Sequence, residues 1–156
     1  MSYELFFIIG DEMTTAIGLE SPDLNFEQID GSKKSLSEFD GQVVVINLMR
    51  TICTGCSKQF PALSRLQDQY KNDNLVVLYL SPEPHKVIRK YADDHELRGE
   101  FGHIADRQSL EFPYQLLTTP STIVIGADGI IKDLWISAKS YNEIENRIEK
   151  FLSPNR

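Results

Sequence analysis

The segment VVVINLMRTICTGC, residues 43–56, joins an apolar run to two cysteines three positions apart. The run Val43–Leu48 is short and rich in β-branched residues, which predicts a buried strand. Beyond the cysteines, apolar side chains recur at helical spacing, at Phe60, Leu63, Leu66 and Tyr70. We therefore expect Cys53 and Cys56 to lie at the first turn of a helix that follows a buried strand.

This placement makes the leading thiol acidic. The unpaired N–H groups and the positive dipole end of a helix N-terminus stabilise a thiolate, and cysteines in such motifs titrate at roughly 3.5 to 7.5 instead of about 8.5. Arg50 and Lys58 flank the pair, and their charges favour the thiolate further. Because a thiolate attacks disulfides, the motif predicts disulfide exchange.

Two other interpretations of the cysteine pair are a zinc site and a purely structural pair. A zinc site needs two more ligands, and the chain has no further cysteine. The three histidines, His85, His95 and His103, are not spaced as zinc ligands usually are. We predict no metal and no other cofactor, and we expect these histidines to be surface or packing residues.

Composition indicates one ordinary globular domain covering residues 1–156, in which residues 1–20 form an extension of uncertain structure. The chain is 41% apolar and 25% charged, and it contains no apolar stretch long enough to span a membrane. Its net charge of −7 can be assigned to the first 32 residues, which contain seven acidic and no basic ones. An acidic chain without a basic stripe is a poor candidate for binding nucleic acid or anionic lipid.

The apolar run Leu5–Ile9 is too short for a signal peptide and lacks a positively charged region before it. We expect a cytoplasmic location on this ground. A periplasmic or other extracytoplasmic location is the alternative if a signal or an anchor has been removed.

The remaining patterns predict an α/β sandwich with a mixed sheet. The expected elements are a hairpin over 24–29 and 33–35, a helical turn at 37–39, parallel strands at 43–48 and 75–80 around the cysteine helix, a helix ending near Gly99, a short strand at 101–105, a brief helix at 109–116, a hairpin over 121–126 and 130–136, and a last helix opened by a capping box at Ser140 and Glu143. Trp135 falls inside a strand, so we expect it in the core or on a sheet face.

Several short motifs in this order carry a family resemblance. They are SPDL at 21–24, the Asp30-Gly31 turn, VVVINL before CTGC, FPAL at 60–63, TTPST at 118–122 and GADG at 126–129. Together they resemble the thioredoxin superfamily, and more closely its TlpA/ResA-type thiol-disulfide oxidoreductases in an AhpC/TSA-Redoxin-like branch. The resemblance implies a thioredoxin-like fold with an N-terminal hairpin extension and an inserted helix before the hairpin that follows Pro120.

The resemblance also implies which residues bind substrate. Pro120 corresponds to the family's cis proline beside the active site, and the backbone of Thr119 pairs with a bound substrate strand. Thr54 and Gly55, between the cysteines, complete the expected substrate-binding set. The protein substrates carry thiols or disulfides, and a redox partner protein restores the cysteine pair.

Two positions are expected to tune the pair, Arg50 by its charge and Gln59 by its place on the helix. Gln59 stands three residues after Cys56, where ResA-like proteins carry a glutamate. It either faces the sulfur atoms or is a solvated helix residue. Asn47 occupies the position of the buried acid of classical thioredoxins.

The predicted function is therefore that of a thiol-disulfide oxidoreductase in which Cys53 is the nucleophile and Cys56 the resolving thiol. One alternative is a peroxiredoxin-like thiol peroxidase. That family's signature would place proline and threonine where this chain has Ile46 and Arg50, and Thr51 is one position out of register. The other alternative is a redox-inactive module that holds a peptide beside Pro120.

Overall fold

The structure is a computed structural model that describes residues 13–105 and 109–152. Most of the extension expected at residues 1–20 lies outside the described residues, which include only its positions 13–20. Met13 and Ala16 of this part are buried in the core.

In the described residues, seven strands form one mixed sheet in the order β2-β1-β5-β4-β3-β6-β7. The strands are β1 (Asn25–Gln28), β2 (Lys33–Ser35), β3 (Val43–Leu48), β4 (Leu75–Ser81), β5 (Glu100–His103), β6 (Ser121–Ile125) and β7 (Ile131–Ile136). The helices are α1 (Thr54–Tyr70), α2 (His85–Asp94) and α3 (Tyr141–Ile148). Short 3-10 helices lie at Leu36–Phe39, Tyr114–Leu116 and Glu149–Phe151.

The centre of the sheet is the predicted β-α-β unit. β3 and β4 pair in parallel and are connected by α1, and β6 pairs antiparallel with the other side of β3. Every residue of β3 and β4 is buried, as expected for strands that are covered on both faces. The prediction of parallel strands and a mixed sheet is confirmed.

Two apolar cores cover the two faces of the sheet. The core beneath α1 and α3 contains Val45, Val77, Val124, Phe60, Leu63, Leu66, Trp135, Ile144 and Ile148. The opposite core contains Ala16, Leu24, Phe26, Ile46, Leu78, Leu80, Tyr114 and Ile123. The predicted core position of Trp135 is confirmed.

One outer strand of the sheet, β2, is short, and the other, β7, is covered at its start. β2 has only three residues, two of which are Lys33 and Lys34. At the other side, Gly18 N–H donates to the Ile131 carbonyl at 2.8 Å, and Ile131 N–H donates to the Leu19 carbonyl at 2.9 Å. Residues 18–20 therefore cover the start of β7.

Both predicted hairpins and the last helix are observed, whereas two other segments differ from the prediction. α2 ends at Asp94 rather than near Gly99, because Glu96 adopts a left-handed backbone with φ of 51°. The brief helix expected at 109–116 is only the 3-10 turn Tyr114–Leu116 among the described residues. None of the described helices is long and apolar enough to cross a membrane.

Candidate active site

Cys53 and Cys56 form a disulfide at the amino end of α1, with their Cα atoms 5.2 Å apart. A turn in which Cys53 N–H donates to the Arg50 carbonyl at 3.2 Å leads from β3 into the helix. Cys53 is the N-cap residue, and its Sγ accepts the Cys56 N–H at 3.1 Å. The leading sulfur thus faces the helical N–H groups, as expected from the sequence, and this geometry favours a thiolate there.

The two sulfur-bearing residues differ in exposure. Cys56 is fully buried, whereas Cys53 is half-buried. Ile52, directly before Cys53, is 88% exposed and is one of the few large apolar side chains at the surface of the described residues. Of the two cysteines, Cys53 is therefore the more exposed, and an exposed apolar side chain precedes it.

The loop before β6 contacts the residues between the cysteines. The Thr119–Pro120 peptide bond is cis, as the resemblance implies. A Cβ atom built on Gly55 would lie 3.0 Å from Cδ and 3.1 Å from Cγ of Pro120. The proline ring therefore packs directly on the first turn of α1, which begins at Thr54, and the glycine permits this close approach.

Thr119 and Arg50 lie on the same side of this contact. Both line a cavity of about 260 Å³, together with Leu48, Met49, Leu80, Pro82, Ile104 and Thr118. The side chain of Arg50 is exposed, so its positive charge lies at the surface beside this cavity. We refer to this cavity as the groove.

The carboxylate of Glu83, which was not predicted from the sequence, holds the loop before the cysteines. The Glu83 carboxylate accepts Thr51 N–H at 2.9 Å and the Thr51 hydroxyl at 2.8 Å. It also accepts the Ser81 hydroxyl at 2.9 Å. Because β3 and β4 are parallel neighbours, the loops after them meet at one edge of the sheet. The predicted pairing of these two strands could therefore have indicated that Glu83 lies near the loop before the cysteines.

Gln59 is completely buried, so the alternative of a solvated helix residue is wrong. Its Oε1 accepts Lys139 N–H at 3.0 Å and the Trp135 indole N–H at 3.5 Å. Its Nε2 donates to Thr122 Oγ1 at 3.2 Å. On the helix it shares the buried face of Cys56, three residues earlier.

Asn47 lies in the same buried polar layer, at the position of the classical buried acid. Its Nδ2 donates to Thr122 Oγ1 at 3.3 Å and to the Ser121 carbonyl at 3.4 Å. Thr122 thus joins Asn47 and Gln59 through one hydroxyl group. The layer behind the cysteine pair is built from neutral side chains.

A separate cavity, of about 450 Å³, has Thr51 in its wall. It is lined by Thr51, Lys86, Val87, Lys90, Tyr91 and Asp94. Partial burial raises the pKa of the Tyr91 hydroxyl, and the negative charge of Glu83 raises it further. Lys90 is engaged by Asp94 at 2.7 Å, whereas Lys86 forms no ion pair with any residue of 13–105 or 109–152.

The histidines take part in packing and not in the cysteine site. The rings of His85 and His103 lie 4.9 Å apart, and the ring of His95 packs on Tyr91 at 4.1 Å. His85 Nε2 lies 3.0 Å from a Glu27 carboxylate oxygen. In residues 13–105 and 109–152, no group of three His, Cys, Asp or Glu side chains is arranged to hold a metal ion.

Comparison with known proteins agrees with this architecture. A model of the AhpC/TSA family matches residues 17–134. Because the match covers most of its length, the chain belongs to the AhpC/TSA family.

Two relatives show the nature of the similarity. The thioredoxin-like protein YneN of Bacillus subtilis is 27% identical over 135 residues, which are 85% of this chain and 78% of that protein. The thiol-disulfide oxidoreductase ResA of Bacillus cereus is 23% identical over 150 residues, 95% of this chain and 84% of ResA.

Solved structures share the fold. The thioredoxin domain of a thiol-disulfide oxidoreductase from Bacteroides vulgatus superposes with a TM-score of 0.78 at 19% identity, covering 88% of this chain and 99% of that one. A thiol:disulfide interchange protein from Chlorobium tepidum gives 0.73 at 15% identity, with coverage of 88% and 99%. The predicted thioredoxin-like fold is confirmed.

The family, the fold and the bonded cysteine pair together confirm the predicted class. The protein is a thiol-disulfide oxidoreductase. The roles of the individual residues around the pair stay predictions.

Proposed function

We propose that the protein exchanges disulfides with protein substrates, with Cys53 as the nucleophile and Cys56 as the resolving thiol. The observation that carries this assignment is the difference in exposure: Cys53 is half-buried at the helix N-cap, whereas Cys56 is fully buried. Only the first sulfur is accessible to a second macromolecule.

In the reducing direction, the Cys53 thiolate attacks one sulfur of the substrate disulfide. A mixed disulfide forms, and the other substrate sulfur leaves as a thiolate that takes up a proton. Cys56 then loses its proton and attacks Cys53 Sγ, which releases the second substrate thiol and closes the Cys53–Cys56 disulfide. Two electrons pass to the substrate, and a redox partner protein restores the dithiol by the reverse exchange.

The groove between Thr119 and Arg50 supports a substrate-binding role for the loop before β6. Pro120 packs on Gly55, so a chain lying along Thr119 would run directly beside the cysteines. Thr54, Gly55, Thr119 and Pro120 form the proposed substrate-binding set. A cytoplasmic location stays a prediction.

A thiol peroxidase is disfavoured by the local hydrogen bonds. Thr51 is the hydroxyl-bearing residue nearest to the register of the peroxidase signature, and its Oγ1 donates to Glu83 at 2.8 Å. The proton of this hydroxyl is engaged by Glu83, so it is not available to hydrogen-bond a peroxide at Cys53. The redox-inactive module is disfavoured because both cysteines are present and bonded to each other.

Trapping tests the assignment of the two thiols. The Cys56→Ser variant, incubated with oxidised insulin, should accumulate a mixed disulfide that peptide mapping places on Cys53. The matched Cys53→Ser variant should accumulate little adduct, because the remaining thiol is buried. A stable adduct on Cys56 in that variant would reverse the assignment.

A second assay separates the two enzyme classes. The reduced protein is supplied with a dithiol reductant and offered insulin or hydrogen peroxide in parallel. Disulfide exchange predicts insulin reduction that depends on Cys53, with slow peroxide consumption. Rapid peroxide consumption that depends on Cys53, without insulin reduction, would favour the peroxidase.

A further inference from the structure

The loops around the cysteine pair meet at one edge of the sheet. Leu48 pairs with Leu80 on one side and with Ser121 on the other, and Ser121 pairs with Ile136. The loops after β3, β4 and β7 and the loop before β6 are therefore neighbours. A substrate that reaches Cys53 approaches all of them.

Exposed positive charges mark this edge. Arg50 follows β3, Lys58 lies in the first part of α1, and Lys86 lies in the first turn of α2 beside the Thr51 cavity. All three side chains are exposed. None of them forms an ion pair in the described part of the chain. We refer to Arg50, Lys58 and Lys86 as the basic rim.

In the described parts of the loops after β3, β4 and β7 there is one acidic residue, Glu83, and its carboxylate is occupied internally; the loop between β5 and β6 contributes Glu111. Glu83 is half-buried and accepts three hydrogen bonds, two from Thr51 and one from Ser81. An approaching molecule therefore meets the charges of the basic rim before it meets that of Glu83.

The basic rim contrasts with the rest of the protein. The net charge of the chain is −7, yet residues 41–67 contain three basic residues and no acidic one. Positive charge is thus concentrated around the cysteines of an otherwise acidic molecule. Such a local arrangement raises the concentration and the rate of arrival of oppositely charged partners at the site.

An apolar contact lies inside the basic rim. Ile52, 88% exposed, stands between Arg50 and Cys53, and Val87 and Tyr91 line the adjacent cavity of about 450 Å³. A partner that fits this surface carries acidic side chains at its periphery and an apolar side chain at its centre, as is usual for protein interfaces.

We propose that the basic rim selects protein disulfides whose cysteines are flanked by Asp or Glu, with an apolar neighbour that contacts Ile52. This inference rests on the proposed disulfide exchange and names its substrate class. The carboxylates pair with Arg50, Lys58 and Lys86 while the substrate disulfide is presented to Cys53.

Ionic strength separates the basic rim from the charge of the whole protein. At about 0.15 M salt the Debye length is roughly 8 Å, so nearby cations act on the substrate while distant carboxylates are screened. At about 1 M it is roughly 3 Å, and the basic rim is screened as well. A preference that is due to the basic rim must therefore be present at the first concentration and lost at the second.

The test uses three cyclic peptides, each closed by one disulfide and identical except for two residues beside each cysteine, which are Asp, Asn or Lys. The reduced protein is mixed with each peptide, and peptide dithiol is quantified after acid quenching. We expect the Asp peptide to react about five- to tenfold faster than the Asn peptide at about 0.15 M salt, with the Lys peptide slowest, and the rates to agree within about twofold at 1 M.

Two controls isolate the cause. Rates with dithiothreitol, a neutral dithiol, correct for the intrinsic reactivity of each peptide. The triple variant Arg50→Gln, Lys58→Gln, Lys86→Gln should lose the Asp-over-Asn ratio, and the use of a ratio cancels any change in Cys53 reactivity. The matched variant Lys33→Gln, Lys71→Gln, Lys150→Gln changes the net charge equally at distant exposed positions and should retain the ratio.

The outcomes distinguish this inference from the proposed function. Equal rates for the Asp and Asn peptides at about 0.15 M, with the Asn peptide still reduced rapidly, would overturn the basic rim and leave the oxidoreductase intact. Loss of the Asp-over-Asn ratio in both triple variants would show that the ratio is due to the net charge of the protein. That result would also overturn the proposed selection by the basic rim. If none of the three peptides is reduced, both proposals are overturned.

Discussion

The Gln59→Glu variant tests whether the buried layer behind the cysteines acts on their thiolates. Gln59 Oε1 already accepts two N–H groups, from Lys139 at 3.0 Å and Trp135 at 3.5 Å. A glutamate can keep both bonds, and these donors favour its charged form, whereas burial disfavours it. We therefore expect the variant to fold and to carry a negative charge at the upper end of the pH range.

The size of the effect follows from the helix geometry. Cys53 precedes position 59 by six residues, or roughly 9 Å along the axis. Two unit charges at that distance interact by about 0.5 kcal/mol in water and about 1.8 kcal/mol at an effective dielectric constant of about 20, which corresponds to about 0.3 and about 1.3 pKa units. Because like charges disfavour the thiolate, the pKa of Cys53 should rise by an amount between these limits.

The assay is the pH dependence of Cys53 alkylation by iodoacetamide in the reduced protein. The rate profile of Gln59→Glu should shift to higher pH, because thiolate formation is delayed. Gln69→Glu is the matched control, since Gln69 is exposed on the same helix and lies about 15 Å farther along it. A Gln59→Glu profile that overlays that of the parent, in a protein with unchanged unfolding, would refute the electrostatic link between position 59 and the cysteines.

Four further substitutions test other parts of the site and the core. Pro120→Ala removes the ring that packs on the first turn of α1, and we expect insulin reduction to slow by about tenfold or more while Cys53 alkylation changes by less than about twofold. Equal losses in the two rates would contradict a role limited to the groove. Glu83→Ala leaves Thr51 N–H and its hydroxyl without their acceptor, which should lower the free energy of unfolding in urea by about 1–2 kcal/mol. In the double variant Glu83→Ala, Thr51→Val, the loss of unfolding free energy should be smaller than the sum of the losses in the two single variants. A loss equal to that sum would show that the two residues are not coupled. Leu63→Ala empties a fully buried position and should cost about 2–5 kcal/mol by the same measurement, whereas a loss below about 1 kcal/mol would mean that the core closes around the site.

The elements that could be predicted are those whose signal is local. β3 and β4 are mostly apolar runs, with Asn47 the one polar residue of β3 and Ser81 at the end of β4. The start of α3 carries its capping box in four consecutive positions, with the Ser140 side chain accepting Glu143 N–H at 3.3 Å. The end of α2 was missed because its left-handed residue is Glu96 and not the glycine that usually marks such a position.

The site was predictable where the motif itself carries the chemistry, as at Cys53. The contact between Thr51 and Glu83 joins residues 32 positions apart, so it depends on how two strands pair and not on any local pattern. Burial of Gln59 could have been inferred, because the residue lies on the same helical face as Cys56 and Leu63. A polar side chain usually indicates an exposed position, and only its three hydrogen-bond partners explain why Gln59 is buried.

The short outer strand of the sheet has a consequence for self-association. Unpaired edge strands recruit further strands from other molecules and so promote aggregation, and brief edges that carry lysine oppose this. β2 offers three residues with Lys33 and Lys34 among them, and residues 18–20 occupy the beginning of the opposite edge. An extended polypeptide would therefore meet lysine side chains along β2 and an occupied position at the start of β7, so addition of a strand at these two places is discouraged.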